Sequence, residues 1–183
     1  MTACEAVLNL QQFVSREMDP TDSAVVTVGK INAGTATNII PDQAIIEGTA
    51  RTLTEPARRK VAAAVERRCA GIAAANRCEL RFAWEMGYPP TVNDPAMADY
   101  VAKVAKATVG PDRYFTVPRP SMGGEDFAYY LQKVPGCFFL VGVEPPGAGG
   151  GYHPLHSDRY DFTDAAITVG VRMFVELVRN FRT

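Results

Sequence analysis

An excess of either charge is missing from this 183-residue chain, in which nineteen Lys and Arg stand against twenty Asp and Glu. A formal net charge of -1 leaves no global field to hold nucleic acid or an anionic membrane, so any partner must be recognised locally. Long apolar runs are missing too. The longest, around residues 137–143, falls far short of the ~18 residues that a membrane span requires. Met1-Thr2-Ala3-Cys4-Glu5 has no basic stretch followed by an apolar one and does not read as a signal peptide, so cytoplasmic residence is the default expectation. Cys4, Cys69, Cys78 and Cys137 are scattered without a C-x-x-C pair, which argues against a zinc ribbon and a dense disulfide framework. They read as free thiols, mostly buried. What is present is ordinary: 47% hydrophobic and 21% charged residues exclude a disordered or collagen-like chain, and the length allows one domain or two small ones.

The periodicities predict an alternating order of elements. Ala3, Val7, Leu10 and Val14 form a helical stripe that Asp19-Pro20 closes. Residues 24–31 are β-branched and bounded by Asp22-Ser23 and Asn32-Ala33-Gly34, the pattern of a strand. A second strand spans about 43–53, with Glu47, Thr49 and Arg51 on one face and Ala44, Ile46, Gly48 and Ala50 on the other. Thr54 and Pro56 open a helix carrying Val61, Val65, Cys69 and Ile72, and residues 79–85 read as a third strand with Leu80, Phe82 and Trp84 on one face. Helix, strand, strand, helix, strand is a split β-α-β unit of ferredoxin-like type whose first strand is missing. Such a sheet would expose an edge that templates pairing with another chain.

Tyr88-Pro89-Pro90 breaks the composition and sets the expected boundary between residues 1–88 and 89–183. Beyond it, Asn93 or Asp94 caps a helix opened by Pro95, with Met97, Val101 and Val104 inward and a stop at Gly110-Pro111. Ser121 to Asp126 leads into a short helix with Phe127, Tyr130 and Leu131 inward. Residues 137–143 are continuously apolar, as in a strand covered on both faces. A Gly/Pro-rich loop over 144–151 leads to both histidines, and Thr163 caps a last helix with Ile167, Val171, Phe174 and Val178 on its apolar face.

Three places hold residues with chemistry. His153 and His156 share a loop after an apolar strand, where open α/β sheets bind ligands, but a catalytic zinc needs about three protein ligands and this pair lacks a carboxylate. Gly123-Gly124-Glu125-Asp126 puts two unhindered backbone N–H groups ahead of a helix, fit to hold a carboxylate or an oxyanion, or simply to start a helix with acidic residues. Asn38, in Asn38-Ile39-Ile40-Pro41-Asp42, suits an Asx-turn as well as a ligand, and Arg51 suits a solvated strand as well as an anion.

The order of the pieces carries more. Residues 35–42 (TATNIIPD), then Glu47-Gly48-Thr49-Ala50-Arg51-Thr52, then Ser121-Met122-Gly123-Gly124-Glu125-Asp126-Phe127, then Leu155-His156-Ser157 resemble the C-terminal half of the M20 metallopeptidase and amidohydrolase family. The resemblance covers essentially the whole chain and is strongest toward N-acyl-amino-acid amidohydrolases and hippurate hydrolases. It implies an α/β architecture: residues 1–88 as a ferredoxin-like α+β lid and dimerisation domain without its first strand, and 89–183 as the C-terminal part of a zinc-peptidase-like catalytic domain. By the same resemblance His156 matches the family's last metal ligand, Asn38 and Arg51 match lid positions that hold a substrate carboxylate, and Gly123, Gly124 and Glu125 match the lining of the substrate pocket.

The implied reaction is hydrolysis of a small N-acyl amino acid by water activated on a divalent metal, zinc or alternatively manganese, cobalt or nickel, in a homodimer joined through the lid. No residue here matches the family's general base or its remaining metal ligands, so no catalytic residue is assigned. The chain is expected to be a fragment that is inactive alone. The alternative from another class is a non-catalytic dimerisation or interaction remnant.

Overall fold

The computed structural model of the protein describes residues 1–144, 147 and 153–181. They form two compact units, one of Met1–Pro90 with Arg119–Asp126 and one of Thr91–Pro118 with Phe127–Thr183.

In the first unit, helix α1 (Thr2–Glu17) precedes the antiparallel strands β1 (Ala24–Ala33) and β2 (Ala44–Thr52) and helix α2 (Glu55–Ala75). Ala6, Leu10 and Phe13 centre the buried face of α1, one notch around from the expected stripe, with Val14 packed beside them. They meet Ala57, Val61, Ala64 and Val65 of α2, and Val26, Val28 and Ala50 line the core from the sheet. The strand faces divide as their two-residue period requires, and β1 keeps its phase only through a bulge. Val28 pairs with Gly48 and Lys30 with Glu47, so Gly29 is the extra residue, and Ile31 and Ala33 return to the face of Ile46 and Ala44.

Caps set the ends of α2. The Thr54 hydroxyl accepts the Ala57 N–H at 3.3 Å, and the Glu55 carboxyl is held below its usual range by hydrogen bonds from Arg58 and Arg59. At the far end Arg77 takes φ 56°, Arg77 N–H donates to Ala74 O at 3.2 Å, and Cys78 N–H donates to Ala73 O at 2.9 Å. This is a Schellman cap with arginine where glycine is usual.

The third strand is not found: among the described residues the sheet has two strands, and residues 79–85 join no ladder. Part of their alternation survives, because Phe82 and Trp84 stack at 6.1 Å and pack on the α1–α2 core, whereas Leu80, expected on the same face, is exposed.

In the second unit, helix α3 (Pro95–Val109) is capped by Asp94, whose side chain accepts the Met97 N–H at 3.0 Å. Asn93, the other cap candidate, grips Phe138 instead, donating to its carbonyl at 2.9 Å and accepting its N–H at 2.8 Å. Together with Asp94 N–H on Gly136 O at 2.9 Å, this ties down residues 136–138, and the expected strand over 137–143 is absent. A strand exists through its ladder, and here a side-chain amide takes the place of a neighbouring strand.

Helix α4 (Ala128–Leu131) is a single turn whose fully buried residue is Ala128, whereas Tyr130, expected inward, is 65% exposed. Helix α5 (Ala165–Asn180) has Asp164, not Thr163, at its N-cap, already in helical conformation and without a side-chain cap bond. It packs on α3 through Met173 and Leu177, against Val104 and Ala105. Ile167, Val171, Phe174 and Val178, expected inside, lie one notch around and are exposed. Periodicity finds the apolar face of a helix but not which part of a broad face meets a partner.

Among the described residues no helix is long and apolar enough to cross a membrane. All four cysteines are free, but Cys4 and Cys78 are exposed, and only Cys69 and Cys137 are partly covered, where burial pushes the thiols up.

Candidate functional site

The polar face of β2 presents Glu47, Thr49 and Arg51, opposite Lys30, Thr27 and Val25 of β1. Lys30 Nζ and Glu47 Oε2 pair at 2.5 Å across the strands. Gly48, between Glu47 and Thr49 in the strand, lies on the inner face where nothing larger fits: a Cβ there would stand 2.4 Å from Thr27 O.

Arg51 reaches from this face to the Gly-Gly segment, 71 residues away in sequence, where its Nη1 donates to Met122 O at 3.0 Å. Among the described residues no other hydrogen bond engages the guanidinium, so Nε and Nη2 remain as a fork for a planar anion. The segment has little freedom on either side. Gly123 N–H donates to Ser121 Oγ at 3.1 Å, and a Cβ on Gly124 would meet Tyr88 Cδ2 at 3.2 Å. Glu125 follows, half-buried. The helix-dipole reading of this segment does not hold, since α4 begins only at Ala128 and has four residues, too few to build a macrodipole.

Arg51, Gly123, Gly124 and Glu125 therefore belong to one unit, and Arg51 contacts the segment directly. Asn38 is exposed in the β1–β2 loop, whose base is closed by Pro41 against Gly34. Arg51 pairs with Val25 at the other end of the hairpin, seven residues beyond Ala44 on β2, or about 23 Å at ~3.3 Å per residue. In one copy of the chain, Asn38 and Arg51 do not come together.

His156 belongs to the other unit and is placed by a turn in which Ser157 N–H donates to Pro154 O at 3.1 Å. It is the third residue of that turn and takes φ 72°, a left-handed conformation that is uncommon outside glycine but relatively tolerated by histidine. The side chain is exposed, and His153, three residues earlier, is half-buried. Of the Gly/Pro-rich loop before them, residues 145, 146 and 148–152 lie outside the described residues. Among the described residues no three His, Cys, Asp or Glu side chains come together to hold a metal ion. These residues do not by themselves fit a metal site, and His156 is at most one donor.

Sequence reasoning missed Ser121 and Tyr88, which shape the Gly-Gly segment. Ser121 left a signal, since Ser-x-Gly with a hydroxyl bonded two residues ahead is a local turn motif; Tyr88 left none, because its contact with Gly124 is tertiary.

The model of a family described as peptidase family M20/M25/M40 matches residues 6–180. Among curated relatives, an N-acetyldiaminopimelate deacetylase of Geobacillus sp. (strain WCH70) is 35% identical over 97% of this chain and 45% of its own length. An N-acetyl-L-cysteine deacetylase of Bacillus subtilis (strain 168) is 37% identical over 90% of this chain and 38% of its own. The YXEP protein of Bacillus subtilis, a dinuclear metal-binding peptidase of the M20 family, superposes with a TM-score of 0.72 at 33% identity, covering 96% of this chain and 44% of that one. The chain thus spans less than half the length of these relatives.

Proposed function

We propose that this chain, which belongs to peptidase family M20/M25/M40, supplies the lid and carboxylate-recognising part of an amidohydrolase acting on N-acyl amino acids. One observation carries the reading: Arg51 is held by Met122 O beside Gly123 and Gly124 with its Nε–Nη2 fork open. Relatives named for N-acetyldiaminopimelate and N-acetyl-L-cysteine support the substrate class, because each substrate carries a free carboxylate next to its amide-bearing carbon. In this reading residues 1–88 are the lid and 89–183 part of the catalytic domain. Arg51 binds the carboxylate, Gly123 and Gly124 let the substrate approach the backbone, and Glu125 lines the pocket.

A divalent metal is proposed for the complete enzyme, with His156 as the donor from this chain. The described residues do not assemble a site for it, and no bond-breaking step is derived from them. With one donor and no assigned general base, the chain alone is inactive, and amide hydrolysis above background by the purified 183-residue protein would overturn that. We also propose a homodimer through the lid. The separation of Asn38 from Arg51 along the hairpin supports it, since only a second copy can bring an Asn38 amide to the carboxylate that Arg51 holds.

The clamp is tested by titrating the chain with N-acetylglycine and with N-acetylglycinamide, which lacks the carboxylate, following backbone amide shifts. The acid binds more tightly than the amide. Arg51→Ala removes the preference, a loss of about 1.5–3 kcal/mol for a charge-assisted pair. Equal binding of acid and amide by the unmodified chain would show that Arg51 is only a solvated strand charge.

A further inference from the structure

We infer that Ser121 is a positioning residue for Arg51, acting through the peptide plane between Met122 and Gly123. That plane carries both groups involved: its N–H belongs to Gly123 and donates to Ser121 Oγ at 3.1 Å, and its C=O belongs to Met122 and accepts from Arg51 Nη1 at 3.0 Å. The described chain has no cis peptide bond, and in a planar trans unit the N–H and C=O point in opposite directions. Fixing the N–H on the serine hydroxyl therefore aims the carbonyl at the guanidinium.

The residues on either side of that plane make the bond matter. Gly123, on the C-terminal side of the plane, leaves it an easy rotation that a side chain would resist, and Gly124 frees the peptide unit after it. The Tyr88 ring stands 3.2 Å from where a Cβ on Gly124 would be, and the Ser121 hydroxyl, bonded to the Gly123 N–H, sets which way the Met122 carbonyl faces. With one Nη on that carbonyl, the remaining Nε–Nη2 edge of Arg51 is presented in one direction. Without it, a long exposed side chain samples many rotamers and loses more entropy on binding an anion.

This inference rests on the proposed carboxylate clamp for its purpose but not for its geometry, and the test separates the two. The chain is prepared unmodified and as Ser121→Ala, Ser121→Thr and Arg51→Ala, the last to assign the Arg51 Nε–H resonance. Ser121 is exposed, and Trp84 fluorescence, which reports the core that Trp84 packs against, verifies that each variant is folded. In Ser121→Ala the Arg51 Nε–H resonance moves toward that of free arginine, and Ser121→Thr, which keeps the hydroxyl, restores it. The preference for N-acetylglycine over N-acetylglycinamide falls about fivefold in Ser121→Ala, the ratio set by one neutral hydrogen bond. An unchanged Arg51 resonance in Ser121→Ala overturns the inference, as does a change that Ser121→Thr fails to reverse. If the resonance responds as described while the unmodified chain shows no preference for the acid, Ser121 stands as the positioning residue and the carboxylate clamp is what fails.

Discussion

Phe13→Ala lowers the stability of the unit built from α1, α2 and the hairpin by about 3–5 kcal/mol, the range for deleting a buried aromatic ring and leaving its cavity. Phe13 is fully buried and lies in one cluster with Leu10, Met18, Val61 and Val65, and the Arg68 guanidinium stands 6.0 Å from its ring centroid. Those neighbours come from the middle of α1, from the residue that ends it and from α2, so they cannot close the hole without moving a helix. Set against a typical domain stability of roughly 5–15 kcal/mol, the loss leaves much of this unit unfolded at modest urea. Trp84 is the chain's single tryptophan and packs on the same cluster, so its fluorescence during urea unfolding reads the change in midpoint. Leu8→Ala is the control: Leu8 is on the same helix but 68% exposed, and its loss costs less than about 0.5 kcal/mol. A Phe13→Ala midpoint no lower than that of Leu8→Ala would mean that the α1–α2 packing does not hold this unit together.

Gly48→Ala destabilises the hairpin by about 1–3 kcal/mol, the range for forcing extra volume into a closely packed place. Strand propensity alone gives the opposite sign, since replacing glycine within a strand by alanine ordinarily gains about 0.5–1 kcal/mol. Backbone proximity decides between them: the added Cβ would stand 2.4 Å from Thr27 O and 3.4 Å from Val28 Cα, and neither is the movable end of a side chain. The strands must separate beside the Gly29 bulge, at the step where Val28 pairs with Gly48. Arg51 is three residues further along β2, so its bond to Met122 O should weaken in the same variant. Urea unfolding gives the sign, and amide exchange at Val28 and Ala50 gives the place. A stabilised Gly48→Ala protein would show that the strands are free to relax there and that glycine is not required.

Much of the fold was legible from residue pattern wherever its determinants are local. Thr54 before Glu55-Pro56 and Asp94 before Pro95 announce helix starts through bonds within one turn. The alternation of Glu47, Thr49 and Arg51 against Ala44, Ile46, Gly48 and Ala50 survives as the two faces of β2 because the side-chain period of a strand is two wherever the strand lies. The order of four short motifs was enough to identify the family, which the match over residues 6–180 bears out.

What the sequence left undecided depends on partners distant along the chain. Residues 79–85 and 137–143 have strand-like composition, yet a strand is made by its ladder, and composition does not say whether a neighbour is present to form one. Asn93 and Asp94 were both cap candidates, and the approach of Phe138 took Asn93 out of that role and left the cap to Asp94. For α5 the period of apolar residues was right, but the buried edge went to Met173 and Leu177, because contact with α3 selects which part of a broad apolar face is covered. At the site, sequence named Arg51 and Gly123-Gly124 separately. Their meeting through the Met122 carbonyl, the turn Ser121 makes to aim it, and the removal of Asn38 to the far end of the hairpin were decided by tertiary structure, since strand register and a contact spanning 71 residues fix them.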